Sequence, residues 1–163
     1  MMNEAFLSIG TNLGDRLKNI YDALSHLESK SFKVSKISSI YKSEPLYFKN
    51  QPHYYNLVIQ VCTKMPLGDF FISLQDIEKN MGRDFTIPKN YPRIIDIDIL
   101  TYNKDTFENN ILTIPHLSLH KRKFVLLPWN EISKDFIVPR YNKDISRLLN
   151  DVKDSSKICK LDI

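Results

Sequence analysis

The chain has 163 residues, 42% apolar and 26% charged, a composition that fits a single globular domain, residues 1–163, with a core of its own. It contains no run of eighteen apolar residues and no cleavable leader pattern, so no membrane span or secretion is expected and the cytoplasm is the expected compartment. A net charge of +4 suits an anionic small molecule without calling for nucleic acid, and Cys62 and Cys159, far apart and without metal-type spacing, are expected to be reduced.

In chain order, "AFLSI" (5–9) reads as a first strand and "GTNLGD" as a glycine-bearing turn after it. The spacing of Leu17, Ile20, Tyr21, Leu24 and Leu27 predicts a helix from Asp15 to Glu28. "FKVSKISSIY" (32–41) reads as a second strand with imperfect alternation, and 43–52, with two prolines, as a loop. "YYNLVIQVCT" (54–63) is a third strand, with Tyr55, Leu57, Ile59 and Val61 on one face and Tyr54, Asn56 and Gln60 on the other. A second helix fits 67–81, with Leu67, Phe70, Phe71, Leu74 and Ile77 inward and Gly82 as its terminator.

Residues 82–92 form an unpatterned loop, long enough to expect a functional element. The strand "RIIDIDIL" (93–100) follows, then an extended piece near Leu112 and Thr113, helices near 123–132 and 144–150, and a polar tail expected to be loosely held. The order β-α-β-β-α-β predicts an α+β, ferredoxin-like arrangement: an antiparallel sheet with helices on one face, extended by added C-terminal helices.

The Asp-bearing strand carries the chemistry. Ile95, Ile97 and Ile99 point one way, and Asp96 and Asp98 the other. A rise of roughly 3.3 Å per residue puts the two carboxylates about 6 to 7 Å apart. Their repulsion is about 2.5 kcal/mol at an effective dielectric near 20, and below about 1 kcal/mol in open water. A wet outer face explains the pair, and so does a cation held between them; hard carboxylate oxygens suit magnesium alongside substrate phosphates. Arg83 and Arg93 stand upstream, His116 and Arg122 downstream, and Gln75 and Glu78 share a helix face. These are the parts of a salt-bridge network and equally of a metal–nucleotide site.

At these residues the chain resembles a known family. "YPRIIDIDIL" is similar to the P-R-x-x-D-[LIV]-D-[LIVM]-[LIVM] signature of 6-hydroxymethyl-7,8-dihydropterin pyrophosphokinase, an enzyme of folate synthesis. "GTNLGDR", "YKSEPL" with "QPHYYN", "QDIEKNMGR" and "LTIPHLSLHKRKFVLLP" resemble the family's other motifs, covering 5–140 without an insertion. The resemblance implies a ferredoxin-like fold and transfer of pyrophosphate from ATP to the pterin's hydroxymethyl group, with AMP leaving. It implies that Asp96 and Asp98 hold two magnesium ions and that Arg83 and Arg93 clamp phosphates. Gln75, Glu78, Ile99, Thr113, His116 and Arg122 would surround the nucleotide. The pterin would stack between Tyr54 and Phe124, its edge read by Asn56 and by Ser43, Glu44, Pro45 and Leu46. The implied partners are these two substrates, with no nucleic acid and no membrane; the chain is expected to be a monomer, in association with a neighbouring folate-pathway enzyme.

The chain departs from the family pattern in its loops. Tyr91 stands where glycine is usual, Asn90 where an aromatic is common, Phe85 in place of a second arginine, and Ser43-Glu44 in place of Thr-Pro. Tyr91 reads either as a ring covering the closed site or as a surface ring without a role. Two other functional classes are a ferredoxin-like RNA-binding module, suggested by a pI near 9.0 and 11% aromatic residues, and a regulatory domain that only binds a nucleotide. Acidic residues on the strand speak against the first, and an intact Asp pair against the second.

Overall fold

In the computed structural model, which describes residues 1–163, the elements run β1 (Asn3–Thr11), α1 (Arg16–Ser29), β2 (Lys33–Ile37), β3 (Tyr41–Ser43), β4 (Tyr54–Thr63), α2 (Leu67–Asn80) and β5 (Asp96–Tyr102). They continue with β6 (Phe107–Glu108), β7 (Thr113–Ile114), α3 (Lys123–Ser133), β8 (Ile137–Val138), β9 (Lys143–Asp144), α4 (Ile145–Asp151) and β10 (Ile158–Lys160). The main sheet is antiparallel in the order β10-β3-β4-β1-β5, and β2 shares with β3 one edge of β4. Taken together, β2 and β3 are the second strand of a β-α-β-β-α-β unit, which gives ferredoxin-like connectivity. The single strand expected over 32–41 is broken because Ser38 turns its hydroxyl to the sheet, accepting from the Val58 N–H at 3.0 Å.

Each strand side chain chooses a face by alternation. Leu7 and Ile9 of β1, Leu57, Ile59 and Val61 of β4, and Ile97 and Ile99 of β5 pack with Ile20, Ala23 and Leu27 of α1 and Phe70, Leu74 and Ile77 of α2. Tyr21, expected inward, is 56% exposed, and Ala23 takes the inner position. Helices cover both faces rather than one. Phe6, Val58 and Leu100 point the other way and meet Val125, Leu126 and Trp129 of α3 and Ile145 and Leu148 of α4. The added helices shield only part of this second face, and the remainder becomes the site.

Two local features aim the site. Asp15 caps α1 by accepting from the Lys18 N–H at 3.0 Å. At the end of α2, Gly82 adopts φ +96°; its N–H donates to Lys79 O and the Arg83 N–H to Glu78 O, both at 3.0 Å. This is a Schellman closure, which favours glycine at the left-handed position. It delivers Arg83 directly over the helix end. The tail is not loose: β10 pairs with β3, and the Leu161 N–H donates to Ile40 O at 2.9 Å. Three residues are too few to show a period, and an open strand edge supplies the partners.

Candidate active site

Where α3 and α4 leave the sheet bare, a cavity of about 270 Å³ opens over β4, β1 and β5. Register builds its floor. Gly10 of the central strand β1 stands between Asn56 and Asp96, and Ser8 next along stands beside Asp98. These central residues are small because the flanking side chains lean over them. A Cβ on Gly10 would come within 3.2 Å of Asn56 Oδ1.

One end of the cavity is aromatic. Tyr54 from β4 and Phe124 from the start of α3 line it with Ser43, Glu44, Pro45 and Leu46. Asn56 is 2% exposed and donates through Nδ2 to Ser43 Oγ at 2.8 Å, which fixes the orientation of its amide. Such walls suit a flat heteroaromatic with a hydrogen-bonding edge.

The other end is charged. Arg83 Nη1 donates to Asp96 Oδ1 at 2.7 Å, and Arg93 Nη1 lies 3.6 Å from Asp96 Oδ2. Asp98 Oδ2 is 3.7 Å from both Arg122 Nη1 and His116 Nε2. Burial, followed by the Asp96 charge, raises the Asp98 carboxyl above its usual range, while Arg122, Arg83 and Arg93 pull it back. Burial and then Arg122 push His116 down to about 4, so its ring is neutral. Its Nδ1 accepts from the Ser118 N–H at 3.2 Å, which leaves the proton on Nε2, facing Asp98.

Glu78 lies beneath this layer, its side chain 5% exposed. Its Oε1 accepts from Ile97 N–H and from Arg83 Nη1, each at 2.6 Å. Burial first, and Asp96 second, push its carboxyl up to about 8 despite those donors. Glu78 therefore ties α2 to β5 and props Arg83 from below.

Most residues singled out in the sequence converge on this one cavity: Ser43, Glu44, Pro45, Leu46, Tyr54, Asn56, Arg83, Arg93, Asp96, Asp98, His116, Arg122 and Phe124. Gln75, Glu78, Ile99 and Thr113 are not among its lining residues. Ile99 is one step out of phase with Asp98, so its side chain joins the core. Glu78 is drawn inward by the Ile97 N–H. Ser8, Gly10, Tyr47, Gln51, Lys89 and Asn90 also line the cavity. The alternation in "FLSIGT" carried a signal for the first two, since Ser8 and Gly10 sit opposite in phase to Leu7 and Ile9.

The 7,8-dihydro-6-hydroxymethylpterin-pyrophosphokinase (HPPK) family profile matches residues 6–134. The chain belongs to the HPPK family. It is 35% identical over 144 residues to the 2-amino-4-hydroxy-6-hydroxymethyldihydropteridine pyrophosphokinase of Aquifex aeolicus, covering 88% of this chain and 89% of that one. It is 40% identical over 153 residues to the folic acid synthesis protein fol1 of Pneumocystis carinii, covering 93% of this chain and 20% of that protein. The chain thus spans about a fifth of the length of the fol1 relatives it matches. Its fold is shared with a crystal structure of Plasmodium falciparum HPPK-DHPS, with a TM-score of 0.74 at 20% identity, over 92% of this chain and 42% of that one. No helix of the chain is long and apolar enough to cross a membrane.

Proposed function

We propose that this chain transfers the terminal pyrophosphoryl group of ATP to the hydroxymethyl oxygen of 6-hydroxymethyl-7,8-dihydropterin. A bond forms from that oxygen to the β-phosphorus, and the bond from the β-phosphorus to the oxygen bridging the α-phosphate breaks. AMP leaves with the electron pair, and the hydroxyl proton passes to water. The observation that carries this reading is the division of one cavity into an aromatic, hydrogen-bonding end and an end with three arginines around two carboxylates. Family membership supports it, and favours an enzyme over an RNA-binding module or an idle nucleotide-binding domain.

Phosphoryl-type transfer needs positioning and charge neutralisation more than covalent help. Tyr54 and Phe124 would sandwich the pterin, while Asn56 and the 43–46 backbone read its edge. Arg83, Arg93 and Arg122 would take phosphate oxygens, and the neutral His116 would donate through Nε2–H. No cluster of three or more His, Cys, Asp or Glu side chains is placed to hold a metal by protein ligands alone. Two carboxylates with a raised proton affinity at Asp98 do fit magnesium shared with substrate phosphates, and Asp96 and Asp98 would hold it. Bound there, two magnesium ions would supply charge neutralisation for the triphosphate. The chain is read further as one cytoplasmic domain, acting as a monomer beside another folate-pathway enzyme.

The deciding test is incubation with ATP, magnesium and the pterin, followed by nucleotide separation. AMP in equal amount to pterin diphosphate is the expected product. ADP as the product would make this an ordinary kinase and overturn the reading.

A further inference from the structure

The two loops that frame the cavity, 43–52 and 82–95, hold different ends of it. The first carries Ser43, Glu44, Pro45, Leu46 and Tyr47; the second carries Arg83, Lys89 and Arg93. They meet at their tips. The rings of Phe48 and Tyr91 pack with centroids 5.1 Å apart at 46°. Beneath the rings, Gln51 Nε2 donates to Asn90 O at 3.0 Å and to Phe48 O at 2.8 Å. Deeper still, the 1%-exposed Asn12 donates to Gln51 Oε1 and Pro52 O, both at 3.0 Å, and accepts from the Arg93 N–H at 2.9 Å.

The ring pair stands out because nothing in the core requires it. Phe48 and Tyr91 are 52% and 47% exposed, and neither lines the main cavity. The left-handed conformation in this stretch falls on Asn90, at φ +70°, so Tyr91 is free to carry a side chain where the family pattern has glycine. The ring of Tyr91 packs on Phe48.

We propose that the Phe48–Tyr91 pair, seated on the Gln51–Asn90 hydrogen bond, couples the pterin-side loop to the phosphate-side loop, so that nucleotide bound at one end raises affinity for the pterin at the other. The proposal rests on the functional reading above. Phe48 and Tyr91 act as positioning residues through the loops they join. Coupling of this kind is reciprocal: the factor by which nucleotide improves pterin binding equals the factor by which pterin improves nucleotide binding. A loop already ordered by one ligand loses less freedom when the second binds.

The test is a double-mutant cycle on the full chain with Phe48→Ala, Tyr91→Ala and both together. Calorimetry measures pterin affinity with and without a magnesium complex of α,β-methylene ATP, and the ratio is the coupling factor. An aromatic pair of this kind predicts that each single variant lowers the factor by about two- to ten-fold and that the double variant lowers it no further. Tyr91→Phe keeps the wild-type factor, since the contact uses the ring. Nucleotide affinity without pterin and the melting temperature stay at wild-type values. A wild-type coupling factor in Tyr91→Ala, or effects that multiply in the double variant, overturns the proposal. Amide hydrogen exchange tests the same contact without substrate: Tyr91→Ala should speed exchange across 48–52, on the opposite loop. Unchanged exchange there overturns the latch even in an enzyme that makes AMP, whereas failure to make AMP overturns the functional reading and leaves the exchange result to judge the latch.

Discussion

Glu78 distinguishes a nucleotide contact from a structural prop, and replacing it by alanine or glutamine separates the two. Its Oε1 is the acceptor for the Ile97 N–H at 2.6 Å, and Ile97 is itself 6% exposed. Alanine leaves that donor buried and unpaired, which costs about 1–3 kcal/mol, and adds about 1 kcal/mol for the space left behind. The lost contact to Arg83 is partly offset, because Arg83 keeps Asp96 and because a carboxyl pushed up to about 8 is mostly uncharged at pH 7. The net loss is about 2–4 kcal/mol, which for a chain of this length lowers Tm by roughly 4–16 °C. Glutamine retains the acceptor oxygen and, like the mostly protonated acid at pH 7, carries no charge, so its stability should stay within about 1 kcal/mol of wild type. Thermal melts at pH 7 without nucleotide measure both, and initial rates give KM for ATP. KM should be unchanged in Glu78→Gln, since the side chain lies below the cavity rather than on its wall. Equal destabilisation by the two substitutions would refute the acceptor argument. A large rise in ATP KM in Glu78→Gln at unchanged Tm would restore Glu78 to the nucleotide's surroundings.

Asp98→Asn should reduce turnover at least a hundred-fold while holding or raising Tm, because it removes a desolvated charge beside Asp96; Asp96→Asn should be equally inactive but slightly less stable, having lost Arg83 and Arg93 as ion partners. Retained turnover in both, with magnesium present, would refute their assignment. Glu131 governs the acid limb of stability. It accepts from the Ser39 N–H at 2.9 Å, from Ser39 Oγ at 2.8 Å and from the Tyr41 hydroxyl, and these donors hold its carboxyl below the ordinary 4.5 in spite of partial burial. A depressed folded-state value means stabilisation that is present above pH 4.5 and lost as pH falls through that lower value. Glu131→Gln should therefore lower Tm at pH 6, and lower it less as pH falls below 4.5; a loss independent of pH would show that the carboxylate charge is not responsible.

By itself the sequence determined which residues could do chemistry and which face each would take. A period of two puts Asp96 and Asp98 opposite the isoleucines whatever the rest of the chain does, and the 3.6-residue period fixes Ile20, Leu27, Phe70, Leu74 and Ile77 as inward. Gly82 announced the end of α2 because the left-handed turn favours glycine. These are local rules, and local rules are written in neighbouring residues. Tertiary structure decided the remainder. Whether the Asp face met water, helix or ligand depended on how far α3 and α4 reached across the sheet, which no spacing encodes. Glu78 was claimed by a strand amide nineteen residues away, and β10 by an open strand edge over a hundred residues away. Phe48 and Tyr91, both in unpatterned loops, found each other only because β1 and the buried Asn12 that follows it brought the loop tips together. Contacts between distant segments depend on the folded path of the chain, and periodicity is silent about that path.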